Sequence, residues 1–236
     1  MATMMRTEPS HKRVRVFFGG QLIVDTDDAL YAWEWPAYPQ YYLPIADVAD
    51  GVLHRAPDKD GATSFTVRAG GREAIDAARE VEELPGRVRL DWSAMDAWFE
   101  EDEEVFVHPR DPHSRVQILP SSRHVTVAVD GVTVADTRRP MLLFETGLPR
   151  RSYFPKLDVR MDLLVPSERT TMCPYKGTAR YWSVARSSGE RADLAWSYAT
   201  PVRESAPIAG LVAFFDEKVD VTVDGVAQHR PQTPFS

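Results

Sequence analysis

The sequence of 236 residues contains a single cysteine, Cys173. One thiol cannot form an internal disulfide, a thiolate zinc site or a cysteine-held iron–sulfur cluster, and such scarcity is typical of proteins from a reducing compartment. We therefore assign no metal and no cofactor to the chain.

Long apolar stretches are also missing. The longest apolar run, 209–215, has about a third of the roughly 20 residues that a helix needs to span a bilayer. The first 13 residues contain no apolar stretch of signal-peptide length. These absences predict a soluble, cytoplasmic protein.

Positive charge is scarce relative to negative charge. The 28 lysines and arginines and the 35 aspartates and glutamates give a formal net charge of −7. An acidic chain is a poor partner for phosphate backbones and anionic lipid, so we expect neither nucleic-acid nor membrane binding. Apolar residues, at 43%, are abundant enough to build a globular core. The oligomeric state cannot be inferred from these numbers.

An internal repeat organises the sequence. A shift of 111 positions places residues 13–48 on 124–159 without a gap and gives ten identities in 36 positions, where composition alone would give about two. The identities are Val14/Val125, Val16/Val127, Gly20/Gly131, Asp25/Asp136, Thr26/Thr137, Glu34/Glu145, Tyr42/Tyr153, Pro44/Pro155, Asp47/Asp158 and Val48/Val159. Near the end of each copy, a shift of 116 places 99–101 on 215–217.

The repeat predicts two tandem domains. We place the first at 12–117 and the second at 122–230, because a Pro-Ser-Ser segment lies between them at 120–122. The remaining termini, 1–11 and 231–236, are expected to be flexible.

Each copy begins with a predicted β-hairpin. The alternating segment 14–18 leads to Gly19-Gly20, and the segment 125–129 leads to Asp130-Gly131. Such pairs favour two-residue turns because both central positions need a positive φ. A third segment of this kind, 219–226, comes near the end of the chain.

Helical spacing of apolar residues predicts one short helix in each copy, at 92–99 and 207–215. The charged segment 72–83 is a weaker candidate for an extra helix in the first copy. The fold class predicted is mainly β, a β-rich α+β arrangement of two repeats. Each repeat would be a compact twisted antiparallel sheet or half-barrel with one short helix.

Two long patterns in the second copy resemble a known family. The first is E-T-G-x-P-x-x-x-Y-x-P-x-x-D-V, from Glu145, and the second is T-x-C-P-Y-K-G-x-A-x-Y, from Thr171. Both are similar to the domain-of-unknown-function family numbered 427, which is sometimes labelled nucleotidyltransferase-like. The resemblance implies a small, mostly β domain, found often in bacteria, without an assigned reaction. No motif in the sequence supports the transferase label.

The first copy departs from this pattern. It keeps Glu34 and Tyr42, but Pro39 and Gln40 stand where the second copy has two arginines, and it has no cysteine. The second copy is therefore predicted to carry the intact site.

Glu145, Cys173 and Lys176 are the candidate catalytic residues. Glu145 ends a predicted strand among apolar neighbours, so it is either a pocket acid with a raised pKa or one half of a structural ion pair. Cys173, close to Lys176, is either an activated thiol or a small buried side chain that holds a turn. Lys176, Arg150 and Arg151 either clamp an anionic ligand or are solvated cations.

Two other segments have alternative interpretations. The aromatic segment 31–42 either lines a ligand cleft or packs in the core or between the two halves. The segment 108–113 contains two histidines and an aspartate, which favours a charged hairpin tip over a metal site because the spacing is unspecific.

These observations favour a binding module for a small polar or anionic ligand in a cleft of the second repeat. The predicted ligand-binding residues are Glu145, Arg151, Tyr153, Cys173, Tyr175, Lys176 and Trp196. One alternative is an enzyme that uses Glu145 as acid and base, with Lys176 or Arg151 as an electrostatic clamp. Another alternative is a structural adaptor without a ligand site.

Overall fold

The computed structural model describes residues 5–185 and 191–236. Its contacts divide the chain into two compact units, 1–111 and 112–236. In the described residues the secondary structure is mainly antiparallel β-sheet, with four sheets, two in each unit, and short 3-10 helices. The predicted fold class is confirmed.

The first unit contains eleven described strands in a seven-stranded and a four-stranded sheet. The strands are β1 (Arg6–Pro9), β2 (Val14–Phe18), β3 (Gln21–Thr26), β4 (Leu30–Trp33), β5 (Gln40–Pro44), β6 (Leu53–Arg55), β7 (Thr63–Ala69), β8 (Arg72–Glu80), β9 (Arg87–Leu90), β10 (Ala97–Glu100) and β11 (Glu103–Val105). Two 3-10 helices, Ile45–Asp47 and Trp92–Ala94, connect them.

The second unit repeats this composition. Its described strands are β12 (Val116–Pro120), β13 (Val125–Val129), β14 (Val132–Thr137), β15 (Met141–Glu145), β16 (Arg151–Phe154), β17 (Leu164–Cys173), β18 (Gly177–Val184), β19 (Arg191–Tyr198), β20 (Val212–Phe214), β21 (Asp220–Val223) and β22 (Val226–Ala227). Its 3-10 helices are Lys156–Asp158, Met161–Leu163 and Arg203–Ile208.

The strand order shows that the two units have the same topology. The large sheets run β1-β4-β5-β9-β8-β7-β6 and β12-β15-β16-β20-β19-β18-β17, and the small sheets run β3-β2-β10-β11 and β14-β13-β21-β22. Each strand of the first unit thus has its counterpart eleven strands later in the chain. The tandem duplication inferred from the 111-residue shift is confirmed.

The division between the units lies before the segment at which the sequence suggested a boundary. Val116–Pro120 pair with Met141–Glu145 inside the second unit. Arg6–Pro9 pair in the same way with the strand Leu30–Trp33 of the first unit. The residues that precede each repeat therefore form an edge strand of its large sheet.

Alternating side chains build the core of each unit. Val14, Val16 and Phe18 of β2 are buried against the large sheet of the first unit. Val125 and Val127 of β13 are buried in the same manner in the second. The period-two pattern of these hairpin strands predicted their buried faces correctly.

The predicted α-helices are wrong. Residues 92–99 form a 3-10 turn and the start of β10, and residues 207–215 contain the end of another 3-10 turn and the central strand β20. Gly210, with φ 70°, interrupts a helical path, and the three residues of β20 are all buried. A short, continuous apolar run can form either a buried helix or a central strand, and its sequence alone does not distinguish the two.

The extra helix predicted at 72–83 is also absent there, because Arg72–Glu80 form β8. This strand pairs with β7 on one side and β9 on the other. Ladder pairing on both sides outweighs the weak helix preference of a charged, alanine-containing segment.

The 116-residue alignment near the ends of the copies is wrong as well. Trp98 of β10 pairs with Val16, and Val221 of β21 pairs with Val127, which is the counterpart of Val16. Trp98 therefore corresponds to Val221. Residues 99–101 lie at the end of β10 and residues 215–217 follow β20, so two similar segments at non-equivalent strands had produced the apparent match.

Two tight turns of the first unit touch through their backbones. Gly19 in the β2–β3 turn and Gly70 in the β7–β8 turn have φ values of 59° and 56°. A Cβ atom on Gly19 would overlap the carbonyl oxygen of Ala69, and one on Gly70 would overlap the carbonyl oxygen of Gly19. The contact is possible only between residues without side chains.

Candidate functional site

Glu145 of the second unit forms an ion pair with Lys176. Glu145 is the last residue of β15, and Lys176 lies in the tight turn that joins β17 to β18. The Lys176 Nζ donates to Glu145 Oε2 at 2.5 Å, and the two side chains are only 11% and 12% exposed. The register Cys173↔Gly177 fixes the turn and thereby directs the lysine towards the end of β15.

Arg151 has a different partner. It lies on β16, is buried, and binds Glu217 with two hydrogen bonds, Nη1 to Oε2 at 3.0 Å and Nη2 to Oε1 at 2.8 Å. Its Nη1 also donates to the carbonyl oxygen of Phe214 and lies 3.4 Å from Asp216 Oδ1. This guanidinium is therefore held by carboxylates that follow β20.

Sequence analysis did not single out Asp216 and Glu217 as partners of Arg151. The available signal was an acidic pair directly after an apolar run, which becomes informative once that run is recognised as a central strand. Burial opposes ionisation of Glu217, but the hydrogen bonds from Arg151 lower its pKa below the usual value.

The pKa of Asp216, next to Glu217, is clearly raised. Burial raises its pKa from 3.8 to about 6, against the attraction of Arg151, which lowers it, while the charge of Glu217 raises it further. A carboxyl group with a raised pKa stabilises the folded state when it is protonated, and this contribution is lost as the pH rises through the folded-state pKa.

Replacement of Asp216 by asparagine should therefore change how stability depends on pH. Between pH 4 and pH 7 the wild-type protein should lose about 2–3 kcal/mol relative to Asp216→Asn, because only the aspartate must ionise while buried. Urea denaturation of both proteins at several pH values measures the difference. A difference that stays constant across this range would contradict the raised pKa.

Tyr153 and Trp196 form the aromatic part of the region. Their rings meet edge to face with centroids 6.4 Å apart, and the Arg151 guanidinium lies 5.3 Å from the Trp196 ring centre. Burial raises the pKa of Tyr153, and the nearby Glu145 and Cys173 raise it further. Most of the predicted residues of the second unit are thus neighbours.

Cys173 is the last residue before the β17–β18 turn, and Tyr175 lies in that turn next to Lys176. Cys173 is a partly exposed free thiol at the end of β17. Ser205 Oγ donates to the carbonyl oxygen of Tyr175 at 2.8 Å, which fastens the turn to the 3-10 helix Arg203–Ile208.

The corresponding glutamate of the first unit, Glu34, has more partners. Its carboxylate accepts hydrogen bonds from Tyr42 Oη at 2.9 Å, from Arg89 Nη1 at 2.8 Å and from Arg79 Nη2. Burial raises the pKa of Tyr42, and the Glu34 charge adds to this rise. Arg79 and Arg89 come from a cross-strand pair on β8 and β9.

The side chains around Glu34 therefore differ in chemical type from those around Glu145. By strand pairing, Arg79 of β8 corresponds to Trp196 of β19, and Arg89 of β9 corresponds to Ala213 of β20. Where the second unit has an aromatic ring and a methyl group, the first has two guanidinium groups. Sequence alignment missed this because insertions separate the copies after residue 54.

A cleft of about 730 Å³ lies beside Glu34 in the first unit. Its lining residues include Trp33, Trp35, Tyr42 and Arg79, and Trp35 is the most exposed of the three aromatic residues. Tyr31 and Tyr41, from the same aromatic segment, are buried in the core. The segment 31–42 thus contributes to core packing, and part of it also lines this cleft.

The described residues contain neither a metal-binding cluster nor a helix that could span a membrane. They contain no group of three or more histidine, cysteine or acidic side chains placed to hold a metal ion. The His108 ring stacks on Tyr38 at 3.9 Å. Among residues 5–185 and 191–236, no helix has the length and apolar character required to cross a bilayer.

Comparison with known proteins agrees with the duplicated architecture. No curated protein matches the chain. The family described as Domain of unknown function (DUF427) matches residues 6–101 and again residues 117–225. The two matches begin at the edge strands β1 and β12 and fall one in each structural unit. The chain therefore belongs to this family and contains its domain twice in tandem.

Proposed function

We propose that the protein is a binding module for a small polar ligand. The observation that supports this most directly is the cleft beside Glu34, whose volume lies within the range of small-molecule sites. Its lining combines two tryptophans, which can pack against an apolar body, with seven charged side chains that can contact a polar ligand. The carboxylate of Glu34 is satisfied by Tyr42 and two arginines and so orients them beside the cavity.

We also propose a ligand site in the second unit, at the predicted residues. Its support is that Glu145, Tyr153, Cys173, Lys176 and Trp196 come together around the end of β15. An anionic ligand would have to compete with Glu145 for the lysine, and with Glu217 for Arg151.

The experiment is a thermal-shift screen of the full chain against small polar compounds sorted by charge. Binding to the native state at 100 times Kd contributes about 2.7 kcal/mol and should raise Tm by several degrees. Trp35→Ala should abolish the shift of a ligand that binds beside Glu34, and Lys176→Ala should abolish the shift of one that binds beside Glu145.

Leu22→Ala is the control, because this exposed apolar side chain is not part of either site. A shift that survives in both site variants would place the ligand elsewhere and contradict the proposed positions. If no compound in the screen stabilises the protein, the binding function itself fails and the structural adaptor becomes the better hypothesis.

A further inference from the structure

We propose that the cleft of the first unit binds an organic cation, which rests on the proposed function of this cleft as a ligand site. The proposal rests on two tryptophans, here called the wall, and three exposed carboxylates, here called the rim, that line the same cleft. Trp33 and Trp35 form the wall, and Asp60, Glu82 and Glu83 lie on the rim.

The charge of the lining favours a positively charged ligand. Of the described side chains that line the cleft, five are carboxylates and two are guanidinium groups. Glu34 is compensated by Arg79 and by Arg89 behind it. In the part of the chain that the structure describes, none of the ion pairs involves Asp60, Glu82 or Glu83. The three rim carboxylates therefore have no ion-pair partner among the described residues, and carboxylates outnumber guanidinium groups in the lining.

Trp35 is the part of the wall that can receive a cation, because Trp33 is only 9% exposed and already faces Arg6. The Arg6 guanidinium already lies 4.2 Å from the centre of the Trp33 ring, and the Arg89 guanidinium lies 5.8 Å from that of Trp35. Trp35 remains 37% exposed, so part of its surface is open to a ligand. Indoles are the aromatic side chains that attract cations most strongly.

The dimensions indicate an organic cation and not a metal ion. A cleft of about 730 Å³ is many times larger than a bare ion. The rim carboxylates come from separate loops, Asp60 from the β6–β7 turn and Glu82 and Glu83 from the β8–β9 loop. No described acidic group in the chain forms a metal-binding cluster. An ammonium or guanidinium group on an apolar body fits both the wall and the rim.

The test is an NMR titration of the full chain with three compounds of similar length. Agmatine is cationic at both ends, 4-guanidinobutyrate is zwitterionic and glutarate is anionic. We expect agmatine to shift the indole N–H signals of Trp33 and Trp35, assigned with Trp33→Phe and Trp35→Phe, and to bind more tightly than the other two. Higher salt should weaken the binding.

A triple variant tests the rim, since its three carboxylates are exposed and their replacement leaves the core intact. Asp60→Asn/Glu82→Gln/Glu83→Gln should reduce agmatine affinity by about tenfold. The matched control, Asp27→Asn/Asp50→Asn/Glu104→Gln, removes the same charge from exposed positions of the first unit outside the cleft and should have a much smaller effect.

The outcomes separate the two proposals. If glutarate shifts the same indole signals as well as agmatine does, the cleft is a ligand site but the cation class is wrong. Equal losses in the rim and control variants would also overturn the cation class, because only general charge would matter. If none of the three compounds binds while another class from the thermal screen does, the inference fails and the proposed function stands. If nothing binds in either experiment, both fail.

Discussion

Replacement of Arg151 by methionine should lower the free energy of unfolding by about 3–5 kcal/mol, because it leaves the buried Glu217 without its counter-charge. The Glu217 side chain is fully buried and that of Arg151 is 10% exposed. Removal of one partner of such a pair costs much more than the pair contributes, since the other charge stays desolvated. Urea denaturation measures the change.

Two controls test whether the loss of stability in Arg151→Met comes from the uncompensated charge of Glu217. Arg160→Met breaks the Arg160–Asp162 pair, whose side chains are both more than half exposed, and should have little measurable effect. The double variant Arg151→Met/Glu217→Leu removes both charges and should recover much of the stability lost in the single variant. A double variant as unstable as the single one would show that Arg151 acts through packing and not through charge compensation.

The second large effect is expected at Gly19. Gly19→Ala should destabilise the protein by about 3 kcal/mol or more, because the new methyl group would overlap the Ala69 carbonyl in addition to the positive φ. The β2–β3 and β7–β8 turns would have to separate to accommodate it. The midpoint of urea unfolding provides the measurement.

Gly20→Ala is the matched control for this prediction. Gly20 also has a positive φ, 71°, but an added Cβ would meet nothing within 4 Å. Its replacement should therefore cost only the conformational strain, about 1 kcal/mol. If the two alanine variants were equally stable, the close approach of the turns would not contribute to stability.

The local parts of the fold could be predicted from the sequence. Gly19-Gly20 and Asp130-Gly131 join the strands of their hairpins, as the turn chemistry indicated. The 111-residue shift aligned strands β2 to β5 with β13 to β16, because no insertion interrupts that part of either copy. Alternating burial and turn preference are properties of neighbouring residues and are therefore visible in the sequence.

The parts that depend on distant strands could not be predicted. Residues 212–214 look like part of a helix until β16 and β19 are known to flank them. Likewise, the arginines that hold Glu34 are 45 and 55 residues away, and only the pairing of β8 with β9 places them together. The partner of Glu145, Lys176, was one of three cations considered for the site, but nothing in the sequence favoured it over Arg150 and Arg151.

The buried ion pair of Arg151 with Glu217 has a consequence for how the duplicated chain folds. Arg151 in β16 occupies the position of Gln40 in β5, and both are buried. Two domains of one topology risk exchanging equivalent strands as they form. An exchange that put β16 into the first sheet would separate the buried Arg151 guanidinium from its partner Glu217. We therefore expect the difference between Arg151 and Gln40 to disfavour exchange of β16 with β5.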